Sequence, residues 1–189
     1  MDVPFEEPDW SRPLDLPSRL ALVPARATVN GLLIRPVIDR GRALGGTPPI
    51  DRVYLPFRSY AARDALEIFA WSAGLTHPRE PRRGIWALGR ETGERASKAT
   101  LGRVLLAMGG DSLLDAMPHV VRFYQAVGSV RVALIEGAPG RAVISVANSL
   151  VWPEYHLGTL GWIAERFESE VRGRIREHPS GDFDVELRW

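Results

Sequence analysis

The stretch Trp152–Trp189, WPEYHLGTLGWIAERFESEVRGRIREHPSGDFDVELRW, decides the fold class. Pro153 fits the first position of a helix, where a missing N–H costs nothing. Leu157, Leu160, Ala164, Phe167 and Val171 then recur at helical spacing along one face. The pattern next changes to period two: Val171, Gly173 and Ile175 alternate with Arg172, Arg174 and Arg176, while Phe183, Val185, Leu187 and Trp189 alternate with Asp184, Glu186 and Arg188. A helix feeding two strands, each with one apolar face, predicts an α+β domain. The charges also suggest a register. Ile175 opposite Phe183 sets Arg174 against Asp184 and Arg172 against Glu186, whereas a slip of two residues sets Arg172 against Arg188. The expectation is therefore Ile175 opposite Phe183, with the charged face in solvent, the apolar face in the core, and any binding site towards the helices.

Working outward, Val130, Val132 and Leu134 read as a strand, Gly137 to Gly140 as a turn, and Ala142 to Ala147 as the returning strand. Two hairpins separated by a helix can share one sheet. The expected fold is an N-terminal helical layer packed on a four-stranded antiparallel sheet built as hairpin-helix-hairpin. Upstream, a helix through Val29, Leu32, Leu33 and Val37 should bend or stop at Pro36, and one after Ser59 should run to Gly74. A long helix should span residues 84 to 108, with Gly89, Gly93 and Ala96 as a smooth stripe that lets another helix approach, within one chain or between two. Asp111 or Ser112 can cap a further helix holding Leu113, Leu114, Val120, Val121 and Phe123. Residues 1–26 carry Pro4, Pro8, Pro13, Pro17 and Pro24 and read as an extended arm docked through Trp10, Leu14, Leu16, Leu20 and Leu22; residues 27–189 read as a single α+β domain.

The 189 residues are 45% hydrophobic, enough for one good core, and 24 basic residues balance 23 acidic ones to a net charge of +1. No global field draws the chain to nucleic acid or an anionic membrane. The absence of cysteine excludes disulfides, thiolate nucleophiles and cysteine-held metals. The acidic start MDVPFEEPDW does not read as a signal peptide and no window reaches transmembrane length, so a cytoplasmic protein is expected.

Three stretches together carry a resemblance: LGRETGERASKATLGRVLLAMGGDSLLDAMP (88–118), PEYHLGTLGWI (153–163) and GDFDVELRW (181–189). In these the chain resembles the myxobacterial family of uncharacterised proteins of similar length. That resemblance implies an architecture shared with the haem-nitric-oxide-binding, four-vinyl-reductase and small vesicle-tethering-subunit domains, which bind haem, other small molecules or protein partners. It also implies a position for a haem ligand, because His119 lies in a helix before the first strand, where the haem-binding domain places its axial histidine. The same domain grips the haem propionates with a Tyr-x-Ser-x-Arg motif. The corresponding stretch here, Val146-Ala147-Asn148-Ser149-Leu150, has neither the tyrosine nor the arginine, so no haem and no other cofactor is expected.

His77, His156 and His178 are scattered, with no His-Glu-x-x-His spacing, and no metal site is expected. His156 at the mouth of the last helix is expected to make an ordinary hydrogen bond to the protein backbone. No nucleophile elbow, phosphate loop or dinucleotide fingerprint occurs. Glu91 with Arg95 and Glu94 with Lys98 read as solvated helix pairs, and Arg79, Arg82 and Arg83 as an exposed basic loop. The expected function is thus a non-enzymatic binding domain for an apolar small molecule or a protein partner, self-association included, with His119, Phe123, Trp152 and Tyr155 as candidate ligand-binding residues. Two alternatives stand beside it: a haem-dependent gas sensor using His119, and an enzyme or biosynthetic accessory protein using His119 or His156 as an acid-base group.

Overall fold

A computed structural model describes residues 3–98, 110–127, 130–168 and 170–189 of the chain, without the side chains of residues 96, 97, 123 and 125–127. The expected course of the long helix over residues 99–108 lies outside the described residues, as does the side chain of Ala96. The chain forms two compact units, one of Asp9–Leu88 and one joining the segment up to Pro8 with Gly89–Trp189.

In the unit Asp9–Leu88 the expected extended arm contains a helix, α1 (Leu16–Leu22). Pro17 stands in its first turn, where an absent N–H is tolerated, and the Asp15 carboxylate accepts the Ser18 N–H at 3.3 Å. Trp10 docks as expected, meeting Trp86 edge to face at 5.9 Å between centroids. A short ladder pairs β1 (Thr28–Asn30) with β2 (Ser59–Ala61). Asn30 caps α2 (Gly31–Ala43), and α2 runs on through Pro36, where the sequence suggested a bend or a stop. Its partner α3 (Ala62–Thr76) begins after β2, so Ser59 is a strand residue rather than a helix cap. Trp71 of α3 lies against Gly41 of α2, where a Cβ would fall 2.1 Å from the indole, and this contact holds the helix pair close.

The unit from Gly89 onward is built on the sheet predicted from the sequence. It comprises β3 (Arg131–Ala138), β4 (Arg141–Ala147), β5 (Arg172–Glu177) and β6 (Phe183–Arg188), all antiparallel in the order β3-β4-β6-β5. A tight turn at Pro139–Gly140, with Gly140 at φ 78°, closes the first hairpin. The helices of this unit are the second half of α4 (Pro81–Lys98), α5 (Leu113–Val127) and α6 (Pro153–Ala164). At the start of α5, Ser112 and Asp115 form a reciprocal cap: the Asp115 N–H donates to Ser112 Oγ at 3.2 Å and the Ser112 hydroxyl to Asp115 Oδ2 at 2.6 Å. Every residue of α6 from Pro153 to Leu160 is buried. One side of α6 packs on β5 and β6, and another on the smooth face of α4.

The register of the second hairpin differs from the expected one. Ile175 pairs with Val185, Glu177 with Phe183, and Arg172 with Arg188. Two local facts outweigh the repulsion between Arg172 and Arg188. The tip falls on the three residues Pro179–Gly181: His178 N–H donates to Asp182 O at 2.8 Å and Gly181 N–H to His178 O at 2.9 Å, which puts Gly181, at φ 86°, in the left-handed position that closes such a loop. The slip also sets Arg174 opposite Glu186 and Arg176 opposite Asp184, so both acids still face an arginine, while Arg172 lies exposed at the sheet edge.

The face expected in solvent is not solvated. Because β6 is central, flanked by β4 as well as β5, Asp184 is 2% and Glu186 1% exposed. Arginine side chains lie over both carboxylates. Glu186 accepts from Arg141 Nε at 2.7 Å, Arg174 Nε at 2.7 Å and Arg188 Nη2 at 3.1 Å. Asp184 accepts from Arg176 at 2.7 and 2.9 Å and meets His178 Nε2 at 3.0 Å. The arginine stems supply the apolar cover while their heads meet the acids.

Candidate functional site

Sequence reasoning places a binding site near the helices, and the first two turns of α6 are where buried polar groups gather. Pro153 starts the helix with Trp152 as its N-cap, and the helix enters the core at once because β4 delivers it from the middle of the sheet. Asn148, at φ 59°, makes the corner between β4 and the helix, and its N–H is held by Asp182 Oδ1 at 3.0 Å. Ser149 Oγ lies 2.8 Å from His156 Nε2 and donates to Val151 O at 3.2 Å. This serine and histidine thereby pin the corner to the helix. A serine beside a histidine could also be read as a nucleophile and base, but here the hydroxyl closes a turn on Val151 O.

Around His156 stand three aromatic rings: Phe183 at 5.5 Å, Tyr155 at 5.6 Å and Tyr124 of α5 at 5.8 Å between centroids. The Tyr155 hydroxyl donates to Thr92 Oγ1 on α4 at 2.9 Å. Thr159 Oγ1 is within bonding distance of Gly89 O at 2.9 Å and Tyr155 O at 3.0 Å. Burial pushes both phenols up from their ordinary value, so they act as neutral hydroxyls. The Tyr124 hydroxyl sits beside Thr159 without closing a well-formed bond, and Trp152 Nε1–H, on a residue 1% exposed, has no acceptor among the described residues. Replacing Tyr155 by Phe removes one bond between α4 and α6 and should lower unfolding stability by about 1 kcal/mol. Urea denaturation measures this, and an unchanged midpoint would show that the Thr92 contact contributes nothing.

The sequence candidates separate in the structure. Trp152, Tyr155 and His156 are all buried at the start of α6, and the Tyr155 and His156 rings meet. His119 is half-buried on α5, and no hydrogen bond or ring contact joins it to that group among the described residues. The Phe123 side chain lies outside the described residues. Tyr124, Ser149, Thr92 and Thr159 belong to the cluster and were missed. Tyr124 had a signal, since it lies next to Phe123 on an amphipathic helix. The threonines had none, because their partners are far away in sequence. The smooth stripe finds its use inside the chain: a Cβ on Gly89 would lie 1.9 Å from Tyr155 O, and one on Gly93 3.1 Å from Thr159 O.

A family described as protein of unknown function (DUF2378) matches residues 25–189. The chain belongs to the DUF2378 family. No curated protein matches its sequence. Solved structures do match in fold. The unliganded Fe(II) H-NOX protein from K. algicida is 10% identical with a TM-score of 0.66, covering 85% of this chain and 96% of that one. The H-NOX protein from S. oneidensis, solved in the Fe(II)NO state, is 14% identical with a TM-score of 0.57, covering 85% and 98%. At such identities the likeness shows the fold, and that fold is the haem-nitric-oxide-binding architecture the sequence resembles. No helix among the described residues of this DUF2378 chain is long and apolar enough to cross a membrane.

The fold raises the question of haem, and the residues at the corresponding stretch do not fit it. The stretch corresponding to the propionate-gripping motif forms the corner described above: Asn148 is tied to Asp182 by its N–H, Ser149 is bonded at His156 and Val151, and Leu150 carries no donor. No guanidinium stands in this stretch to meet a carboxylate.

Proposed function

We propose that this chain is a non-enzymatic binding domain in which an H-NOX-like fold takes a small, largely apolar molecule other than haem against α5 and the first turns of α6. The observation that carries the reading is the Trp152 indole N–H, buried at the N-cap of α6 with no acceptor among the described residues. A buried donor with no acceptor costs about 1–3 kcal/mol, and a ligand carbonyl, ether or hydroxyl oxygen would offset that cost. Tyr124, whose ring lies 5.8 Å from that of His156, supplies a second buried hydroxyl, and Phe183 an apolar wall on the same histidine. Pockets of this class combine apolar lining with a few fixed polar groups.

Native mass spectrometry of freshly purified protein, with its absorption spectrum, tests the reading. The expected result is a bound small molecule of non-haem mass, whose occupancy falls in Trp152→Phe and in Tyr124→Phe while both variants keep the wild-type fold by circular dichroism. A Soret band that survives desalting and disappears in His119→Ala would replace this reading with a haem sensor. An apo mass that takes up no small molecule from a lysate extract would remove it altogether.

A further inference from the structure

The fourth strand of the sheet, β5, is an edge strand, and the chain itself partly covers that edge. Glu6 N–H donates to Ile175 O at 2.8 Å and Ile175 N–H to Glu6 O at 2.9 Å, a single antiparallel bridge made by the segment Val3–Pro8. This segment lies outside residues 25–189 that match the family. In an antiparallel ladder alternate residues direct N–H and C=O to the same side, so Gly173 and Glu177 face the edge together with Ile175. Continuing the register from Glu6 places Pro8 opposite Gly173 and Pro4 opposite Glu177. Neither proline has an N–H to give. The segment is thereby limited to one fully bonded pair, and it has no N–H to give Gly173.

The side chains show what chemistry the edge accepts. In this register Phe5 lies across from Arg176 and Glu7 across from Arg174, on the arginine face of the sheet. Arg176 stands over the Phe5 ring at 4.4 Å from its centroid. Arg174 and Arg176 are held in place from beneath by Glu186 and Asp184, and the exposed Arg172 adds a third positive charge on the same strand.

We propose that the β5 edge is a strand-addition site for an extended, acidic segment of a partner protein, with an aromatic and an acidic residue two apart facing Arg176 and Arg174. The chain's own Val3–Pro8 segment is a weak internal competitor for this site. A partner without the two prolines can give Gly173 O the N–H that Pro8 lacks, so it displaces that segment. Charge on the edge sets which partners are accepted.

The test uses the full chain and a synthetic hexapeptide of residues 3–8 with both prolines replaced by alanine, fluorescently labelled. The peptide should bind in a saturable way, and Glu6→Pro, which removes the N–H that holds the internal segment, should strengthen binding about tenfold. Replacing the peptide's phenylalanine by alanine, or making Arg172→Glu in the protein, should weaken it by a similar factor. Arg172 is exposed and holds no buried acid, so its variant keeps the fold. Binding that is indifferent to Glu6→Pro, or equally strong with both glutamates of the peptide replaced by lysine, overturns the proposal. So does a mass doubling of the Glu6→Pro protein that excludes peptide, since the edge would then pair two copies of this chain.

Discussion

Gly89→Ala should cost the C-terminal unit about 3 kcal/mol or more, although alanine is the better helix former. Intrinsic propensity alone would favour the substitution by up to about 1 kcal/mol in a helix interior. Packing reverses the sign. The added Cβ falls 1.9 Å from the carbonyl oxygen of Tyr155 and 3.0 Å from its Cα, both backbone atoms of a helix that is itself pressed on the sheet. No rotamer change relieves a clash between two backbones. The helices α4 and α6 must part, which strains the packing by about 1–3 kcal/mol and stretches the Thr159 hydroxyl bond to Gly89 O, worth about 1 kcal/mol more. Two companions set the scale. Gly93→Ala meets Thr159 O at 3.1 Å and should be close to neutral, while Gly161→Ala meets nothing within 4 Å and should stabilise by up to about 1 kcal/mol. Urea midpoints for the three proteins should fall in that order. Gly89→Ala at or above the wild-type midpoint would mean that the two helices do not approach as described.

The glycine stripe shows how far one sequence can be read. Spacing marks Gly89 and Gly93 as a surface for close approach, and it is one, yet spacing carries no information about which helix approaches. That helix, α6, lies some seventy residues on, as the bond between Thr159 and Gly89 shows. The sheet followed the same rule. Period-two alternation located β5 and β6, and with them the α+β class. It could not show that β4 flanks β6 on its other side, so Asp184 and Glu186 read as solvated when they are the buried centre of an arginine cluster. The register failed for a related reason. Opposed charges were counted only across the β5–β6 pair, whereas Glu186 also accepts from Arg141 of β4, and the three-residue tip around Gly181 fixes the slip independently of charge. Trp152 and Tyr155 were legible because large aromatic residues beside a helix start have few places to go except the core. Thr92 and Thr159 were not, since each becomes part of the cluster only through a partner supplied by the fold.

The largest electrostatic effect is expected at Glu186. Its side chain is fully buried on the arginine face, with Arg141, Arg174 and Arg188 converging on its two oxygens. Burial alone would raise its pKa, but hydrogen bonds from the three guanidinium groups outweigh burial and hold it below the ordinary value of 4.5. Glu186→Gln keeps the shape and removes the charge. It leaves three cations facing a neutral amide, at a cost on the order of 3 kcal/mol at neutral pH, near the lower end of what breaking a buried pair costs. The pH dependence has a definite sign. A carboxylate whose pKa is lower folded than unfolded contributes stability that is fully present above its unfolded value and is lost as pH falls through its folded value. The gap in unfolding free energy between wild type and Glu186→Gln should therefore be constant from pH 7 down to about pH 5 and narrow below pH 4.5, because the variant has no proton to take up at this position. Denaturant titrations at a series of pH values measure that gap. A gap that widens on acidification, or that is already absent at pH 7, would show that the three arginines do not depend on Glu186 and that the buried face of β6 is held by its apolar neighbours instead.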